Sequence, residues 1–139
     1  MKEVVKMTLA SSVKKIEDTA FKGMIKLKTY KFEGEEDITC GSNLFEETGI
    51  LVTKVNEMYN GETFCGRPVS RYFGSSGEID WFIDTTKTLV FFENGTMEEY
   101  KSEDLPEWNK YSDLIHTIEL KEGVENIGDY AFLGFENVE

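Results

Sequence analysis

Two segments near the ends of the chain share one spacing of apolar residues. Residues 9–27 and 120–138 align without a gap, and in both an Ala-Phe pair is followed, after one intervening residue, by glycine. A weaker copy without the glycine lies at residues 40–51. The apolar positions that define the copies are Val13, Ile16, Ala20, Phe21 and Leu27, then Cys40, Leu44, Phe45 and Leu51, and finally Val124, Ile127, Ala131, Phe132 and Val138. The chain therefore contains an internal repeat.

Each repeat combines a strand pattern with a compact segment. Val5–Leu9 alternates apolar and polar residues with period two, which is typical of a short strand. The apolar residues between positions 16 and 27 fall near helical spacing, and Gly23 and Gly134 stand where a short helical turn would end. A unit of this size cannot bury its apolar face alone and has to stack on copies of itself. The pattern predicts a β-rich α/β solenoid, a stack of short strands and short helical turns.

The middle of the chain predicts a β-hairpin block inserted into that stack. Residues 79–83 and 88–92 are apolar strands, and the segment 84–87 between them suits a hairpin loop. Asn94-Gly95 favours a type I′ turn that would return the chain at Met97 as a further antiparallel strand. Trp108 is expected to pack onto the hairpin.

Glycine and proline between the first repeats and the hairpin indicate a linker, because the stretch from Gly66 to Gly77 includes Pro68 and Gly74. With 139 residues, one domain is the default. The expected organisation is a single domain with N-terminal repeats at 1–65, a linker at 66–78, a β-hairpin block at 79–112 and a C-terminal repeat at 113–139.

The repeat resembles a known family. Its pattern, Val-xx-Ile-x-Asp-x-Ala-Phe-x-Gly-xxx-Leu at residues 13–27, is similar to the BspA-like leucine-rich repeats of surface and adhesion proteins, and residues 81–118 look like the segment that precedes a repeat run in that family. The chain departs from the family at Met24 and Phe135, where a cysteine often follows the repeat glycine. The resemblance implies a leucine-rich-repeat stack, a protein partner, and a place at the cell surface or outside the cell.

Charge narrows the classes of partner. The formal net charge of −12 argues against nucleic acid, because phosphate binding needs a basic stripe. Residues 1–31 hold eight lysines against three acids, 8 − 3 = +5, so the remainder carries −12 − 5 = −17. No apolar run approaches the roughly twenty residues that span a bilayer, and lysines interrupt the start where a signal peptide would be apolar. We expect no membrane span and no secretion signal.

Candidate chemistry is sparse. The one histidine, His116, has no serine or cysteine nucleophile beside it in a recognised motif. The clusters Glu35-Glu36-Asp37 and Glu98-Glu99 lack the spacing of a Ca²⁺ loop and favour a solvated face. We therefore expect no enzyme, no catalytic residue, no metal site and no cofactor.

Cys40, Cys65 and Asn94 each leave two interpretations open. Cys40 and Cys65 are read as small core side chains, with a disulfide between them as the alternative in an extracellular protein. Asn94 opens an Asn-Gly-Thr acceptor triplet and is a candidate glycosylation site, although its place in a turn already explains the sequence.

Three functional hypotheses remain. The leading one is a protein-binding module that uses its strand face and flanking loops. The second is a structural unit whose basic first repeat stacks on the acidic last repeat of another copy, head to tail. The alternative explanation of the two uncovered ends is that the chain is part of a longer repeat array. The third is carbohydrate binding through an aromatic patch, which would consist of Trp81, Tyr100, Trp108 and Tyr111.

Overall fold

A computed structural model describes residues 3–136 and 138, and the chain divides into two compact units, Met1–Arg71 and Tyr72–Glu139. We call these unit 1 and unit 2. The boundary between them falls inside the predicted linker. Within the described residues the elements are short strands and one 3₁₀ helix, Glu107–Tyr111. The strands are β1 (Thr8–Leu9), β2 (Lys15–Ile16), β3 (Thr29–Phe32), β4 (Thr39–Cys40), β5 (Val52–Lys54), β6 (Thr63–Phe64), β7 (Arg67–Ser76), β8 (Ile79–Asp84), β9 (Thr88–Phe92) and β10 (Thr117–Leu120).

Unit 1 is built from parallel strands that recur at a constant offset. β1 pairs with β3 and β3 with β5, so that Thr8 lies opposite Lys31 and Thr29 opposite Val52. Side chains joined across neighbouring copies are 23 residues apart in sequence, as in the bond between Thr53 and Tyr30. β2 and β4 form a second, two-stranded parallel ladder. The predicted stacking of repeats is therefore present in this unit as a regular register.

The start of β7 completes the unit 1 sheet. Its residues Val69 and Ser70 lie opposite Thr53 and Lys54 of β5, and β6 pairs with it in the antiparallel direction. The expectation of an irregular linker at 66–78 is wrong, because residues 67–76 form the longest strand. Pro68 is accommodated near the strand's first residues, where it lies opposite Thr63 of the two-residue β6.

Alternation along the strands determines which side chains enter the core of unit 1. Tyr30 and Phe32 are buried, whereas Thr29 and Lys31, which alternate with them along the strand, are half-buried on the other face. The core that results consists of Ile16, Phe21, Met24, Leu27, Tyr30, Phe32, Leu44, Ile50, Val55, Tyr59, Phe64 and Val69, with Val13, Ala20 and Phe45 packed against it.

The predicted short helical turns are not found, since the compact segments are chained reverse turns. In the first copy the N–H groups of Ala20, Lys22 and Met24 donate to carbonyls three residues earlier. Thr19 and Gly23 both have positive φ, 56° and 88°, and these left-handed residues prevent a continuous helical ladder.

The same conformational pattern returns in the other copies. Asn43 and Glu47 in the second copy, and Tyr130 and Gly134 in the last, have φ of 56°, 55°, 59° and 83° at the positions equivalent to Thr19 and Gly23. The second copy has lost the repeat glycine but keeps the left-handed conformation there. The backbone conformation of the repeat is thus preserved where its sequence has changed.

Unit 2 contains the predicted hairpin. β8 and β9 are antiparallel, with Phe82 opposite Val90, and the Asp84 carboxylate accepts the N–H of Thr86 in the loop at 2.9 Å. β10 adds to β9 in the parallel direction, with Thr117 opposite Thr88. One face of this sheet enters a core of Ile79, Trp81, Ile83, Leu89, Phe91, Met97, Trp108, Ile115 and Ala131, against which Val124, Phe132 and Val138 pack.

The predicted return of the chain after Asn94-Gly95 is wrong. Glu93 and Gly95 have positive φ, and Gly95 bridges Val124 in the parallel direction. The Gly95 N–H donates to the Gly123 carbonyl at 3.0 Å, so the backbone groups that a hairpin would use bind the C-terminal repeat instead. Met97 lies outside the strands and enters the core of unit 2.

Two of the predicted interior positions lie outside the cores given above, although several others of the set are also only half-buried. Leu51 is half-buried, and Ile127 has 56% of its surface exposed, whereas Ile16 at the equivalent position has 6%. Ile16 lies opposite Cys40 of the following copy, and no strand among the described residues pairs with the segment around Ile127. Ile127 is therefore not a core residue among the residues that the structure describes.

Candidate interaction surfaces

An acidic groove of about 990 Å³ opens on unit 1 where β3 leads towards β4. We call it the acidic groove and define it by Glu33, Glu35, Glu36 and Asp37, with Lys14, Ser11, Phe32, Gly34, Ile38, Thr39 and Asn56 completing its lining. The groove is polar and open, and its four carboxylate residues are exposed. Such a surface favours a cationic partner.

Gly34 shapes the groove floor through close approach. A Cβ at this position would overlap the ring of Phe32, so any other residue would displace the ring from the core. The chain can therefore turn out of β3 directly over the aromatic side chain and bring three further acids to the rim.

Asp37 is the most firmly held of the four carboxylates. Its Oδ1 accepts the N–H of Ile38 at 2.8 Å and of Cys65 at 3.2 Å. The Asp37 charge also affects a side chain of the core. Burial raises the pKa of Tyr59 to about 12, the Asp37 carboxylate adds to this shift, and Arg71 opposes it. The negative potential of the groove thus reaches the core of unit 1.

A disulfide joins Cys40 and Cys65 beside the groove. The Cα atoms are 5.5 Å apart, and the bond connects residues 25 apart in sequence, from the end of β4 to the residue after β6. The disulfide that the sequence left open as the alternative is confirmed, because β4 brings Cys40 to the loop that carries Cys65. Both cysteines also pack against the core of unit 1, as expected of small core side chains. In the chain-entropy view a closed loop of this length contributes about 3 kcal/mol of stability.

Asp37 and the two sulfur atoms form the one group of potential metal ligands found in the described residues, with their ligand atoms within 4.8 Å of one another. The sulfurs are bonded to each other, so neither is a thiolate, the form that binds metals. In this oxidised form the group is a structural clamp for the groove.

A basic row crosses the opposite face of the unit 1 sheet. The registers place Thr8, Lys31, Lys54 and Ser70 side by side on the face that points away from Tyr30 and Phe32. Thr8 is exposed and the two lysines are half-buried, whereas Ser70 is fully buried, so the row is accessible only over its first three residues. Lys31 and Lys54 are direct neighbours on adjacent strands. This is the strand face that the leading sequence hypothesis proposes as a binding surface, and it differs in charge from the acidic groove.

The predicted aromatic patch is an interior cluster. Trp81 and Trp108 have 2% and 1% of their surfaces exposed, and their rings lie 5.7 Å apart. The Trp108 ring also lies 4.9 Å from that of Phe91, and these contacts with β8 and β9 confirm that Trp108 packs onto the hairpin. Its indole N–H donates to the Ala131 carbonyl at 2.8 Å. The expected platform is therefore wrong for the two tryptophans, because rings covered by the core present no face to a sugar, whereas Tyr100 and Tyr111 are half-buried.

Tyr100, a half-buried member of the same cluster, forms a hydrogen bond with Ser76. Burial, together with nearby Glu98, raises the pKa of Tyr100, against the Ser76 hydrogen bond that lowers it. Its hydroxyl is thus a neutral structural group at physiological pH.

Asn94 and His116, the remaining singled-out residues, are exposed. Asn94 lies beside Gly123, where a Cβ would contact its amide oxygen, and it stays a candidate glycosylation site. The backbone N–H of His116 donates to the Lys87 carbonyl at 2.9 Å, at the start of the β9–β10 pairing. In the part of the chain that the structure describes, no helix is long and apolar enough to cross a bilayer.

Sequence reasoning missed the acidic groove, although a signal was present. The run Glu33-Gly34-Glu35-Glu36-Asp37 follows the strand Tyr30–Phe32 directly, and a glycine at the end of a strand is a mark of close backbone approach. What could not be read from the letters is that Lys14 and Asn56, one copy before and one copy after, come to the same rim.

Parallel strands at a 23-residue offset and left-handed residues at equivalent turns define a repeat protein. The family model of the BspA type leucine rich repeat region matches residues 1–60 and 109–139, in six copies. The chain belongs to this family, as its repeat motif indicates. No curated protein and no solved structure matches it. The match leaves out residues 61–108, which contain β6 to β9 and the first two residues of the 3₁₀ helix.

Proposed function

We propose that the chain is a non-catalytic protein-interaction module whose acidic groove binds a basic segment of a polypeptide. The observation that carries the proposal is the groove itself, about 990 Å³ in volume and rimmed by four exposed acidic side chains. Membership of a leucine-rich-repeat family supports it, because stacked repeats commonly offer extended surfaces to protein partners.

The form of the groove favours a polypeptide over a small molecule. Pockets for small ligands are enclosed and mostly apolar, with a few polar groups that fix the ligand. The acidic groove is open, and apart from Phe32 and Ile38 its lining is polar or glycine. An extended chain with lysine or arginine at intervals would match the spread of Glu33, Glu35, Glu36 and Asp37.

The coils of unit 1 are inferred to form a short solenoid. The constant offset of 23 to 24 residues in bonds between copies supports this, for example Asn56 to Glu33 and Ser42 to Asp18. In a solenoid the segment after each strand lies at the same edge of the stack, which accounts for the convergence of Lys14, Glu35 and Asn56 on one groove.

An adhesion role at the cell surface is part of the proposal. Disulfides persist in oxidising compartments, and the Cys40–Cys65 bond supports exposure to one. The family resemblance points the same way.

A non-catalytic role is supported by the titratable groups. Among the described residues, the side chains with displaced pKa values are Tyr30, Tyr59 and Tyr100, and in each the shift is upward and caused first by burial. Raised tyrosine pKa values leave fewer of these phenols ionised at neutral pH, so they are less available as nucleophiles or general bases.

Binding of peptide panels tests the groove. We expect lysine-rich peptides to bind and glutamate-rich peptides of equal length to fail, with affinity falling as salt rises. The double variant Glu35→Lys/Glu36→Lys should weaken binding roughly tenfold, since each reversal removes an attraction and adds a repulsion.

The matched control is Glu46→Lys/Glu47→Lys, an adjacent acidic pair that is also exposed on unit 1 but lies outside the groove. It changes the net charge equally and should alter binding less than twofold. Equal losses in the two variants would show that only the overall charge attracts the peptide, and would exclude the groove as the site.

A further inference from the structure

The last repeat exposes apolar side chains at positions that are polar or buried in the first repeat. Tyr130 and Leu133 have 50% and 47% of their surfaces exposed, and the equivalent positions hold Thr19 and Lys22. Ile127 is exposed where Ile16 is buried. Thr19 and Lys22 stay exposed although the second copy covers the first, so Ile127 is the apolar position that a following coil would bury.

The first repeat shows what covers this face inside the chain. Ile16 lies opposite Cys40, and the Phe21 ring packs 6.1 Å from that of Phe45, so the cover of the first copy is the next copy in parallel register. The equivalent cover of Ile127 is therefore another coil of this type.

The β10 strand has a free backbone edge with the right polarity. The N–H groups of Thr117 and Lys121 donate to the Lys87 and Phe91 carbonyls of β9. In a parallel ladder the alternate residues turn their N–H and C=O groups to the other side, so those of Ile118 and Leu120 point away from β9. Among the described strands, β10 pairs with β9 alone.

The β1 strand has the complementary edge. The carbonyls of Met7 and Leu9 accept the N–H groups of Lys31 and Glu33 at 3.1 and 2.9 Å, so the backbone groups of Thr8 point away from β3. Within the part of the chain described, β1 pairs only with β3.

We propose that a second copy of this chain docks its first coil onto the last coil, extending the parallel ladder from β10 of one copy to β1 of the next. Thr8 of the second copy would lie opposite Glu119, as Thr8 lies opposite Lys31 within one chain. The alignment of the repeats and the directions of the free N–H and C=O groups each predict this register independently. It also places Ile16 of the second copy over Ile127.

Charge favours the second copy as the occupant. Residues 113–139 contain seven acids and one lysine, 1 − 7 = −6, against +5 for residues 1–31. The same register brings the exposed Lys14 of the second copy to Glu125, which is also exposed. The inference goes beyond the proposed function, because the carboxylates of the acidic groove take no part in it.

Sedimentation velocity of the full chain from 5 to 500 µM tests the inference. We expect concentration-dependent association at low salt and at least tenfold weaker association at 0.5 M NaCl. Ile127→Glu blocks the last coil and Thr8→Pro/Lys14→Glu blocks the first, and each variant alone should remain a monomer.

A mixture of the two variants should form a 1:1 dimer and nothing larger, because one intact first coil and one intact last coil remain between them. Met58→Glu is the control, since Met58 is 75% exposed and belongs to neither coil, and it should associate as the parent chain does. Far-UV circular dichroism establishes that every variant is folded. A parent chain that stays monomeric throughout, a mixture that stays monomeric, or a Met58 variant as impaired as the Ile127 variant would each overturn the proposal.

Discussion

A buried pair of hydroxyl groups ties two repeats of unit 1 together. The Thr53 hydroxyl donates to the Tyr30 hydroxyl at 2.6 Å, and the two residues are 98–99% buried. The bond joins β5 to β3, so it fixes the register of neighbouring copies as well as satisfying two polar groups in the core.

Removal of one hydroxyl from this pair should be more damaging than removal of both. Tyr30→Phe leaves the Thr53 hydroxyl buried without its acceptor, and we expect a loss of about 1–3 kcal/mol in the free energy of unfolding. Tyr30→Phe/Thr53→Val removes both polar groups and should recover a large part of that loss. Urea denaturation measures the four corners of the cycle, and additive losses would show that the hydroxyls do not act as a pair.

Burial of Tyr59 predicts a sensitivity to alkaline pH. Its pKa is about 12 in the folded chain against an ordinary value of 10, so the neutral phenol is favoured by the fold. This contribution to stability is fully present below pH 10 and is lost as the pH rises towards 12, because the unfolded chain ionises first. Unfolding followed between pH 9 and 11 should show a decline that is shallower in Tyr59→Phe. An identical slope in the variant would contradict the assignment.

At the scale of residues, the sequence predicted burial correctly for side chains whose surroundings depend on only one or two neighbouring copies of the repeat. Phe21 and Leu27 are buried as the alignment expects. The exposure of Ile127 could not be predicted from its alignment with Ile16, since equivalent residues have the same surroundings only where a neighbouring repeat covers both. The alternation of Tyr30 and Phe32 predicts that they enter the core, but not that Thr53 meets Tyr30 there.

At the scale of elements, the turns of the repeat depend on a pair of left-handed residues. Gly23 has φ of 88°, and a Cβ built on it meets nothing within 4 Å, so only the backbone conformation resists a side chain there. Glu47 adopts φ of 55° at the equivalent position with a full side chain.

Exchanging the residue types at these two positions should have opposite effects. Gly23→Ala should cost about 1 kcal/mol, because an L-residue is strained in this region. Glu47→Gly should be neutral or stabilising by up to about 1 kcal/mol, since relief of strain outweighs the added freedom of the unfolded chain. Thermal and urea unfolding of the two variants check the signs. A stabilising Gly23→Ala would show that the turn can change its conformation.

The hairpin could be predicted because its signals are local, whereas β7 could not. Gly74 in that strand indicates a linker when it is read along the chain. In the structure a Cβ there would lie 3.0 Å from the Trp81 ring, so the glycine permits an aromatic residue of the next strand to cross closely. The prediction of short helical turns was wrong for a related reason, because the spacing of apolar residues does not indicate the sign of φ at Thr19 and Tyr130.

At the scale of the whole molecule, the net charge of −12 implies self-repulsion in the folded state. Ion pairs such as Lys26–Glu3, at 2.8 Å, are exposed to water and offset little of this repulsion. Salt should therefore affect stability and association in opposite directions.

Raising NaCl from 20 to 200 mM at pH 7 should increase the unfolding midpoint of a dilute sample, because screening relieves repulsion between carboxylates. The same change should weaken the association proposed above, which depends on attraction between unlike ends. Calorimetry at a concentration where the chain is monomeric separates the two effects. A midpoint that falls with salt would mean that favourable pairs dominate the charge distribution.

The pairing of neighbouring copies also constrains how the gene can change. A residue inserted within a strand would turn every later residue of that strand to the wrong face, so that Tyr30-like and Lys31-like positions exchange places. The turns between strands absorb such insertions, because Thr8 pairs with Lys31 across 23 residues whereas Lys15 pairs with Thr39 across 24. Duplication of one complete repeat would leave the partner of each strand unchanged, so tandem copying lengthens the ladder of unit 1 without requiring a new core.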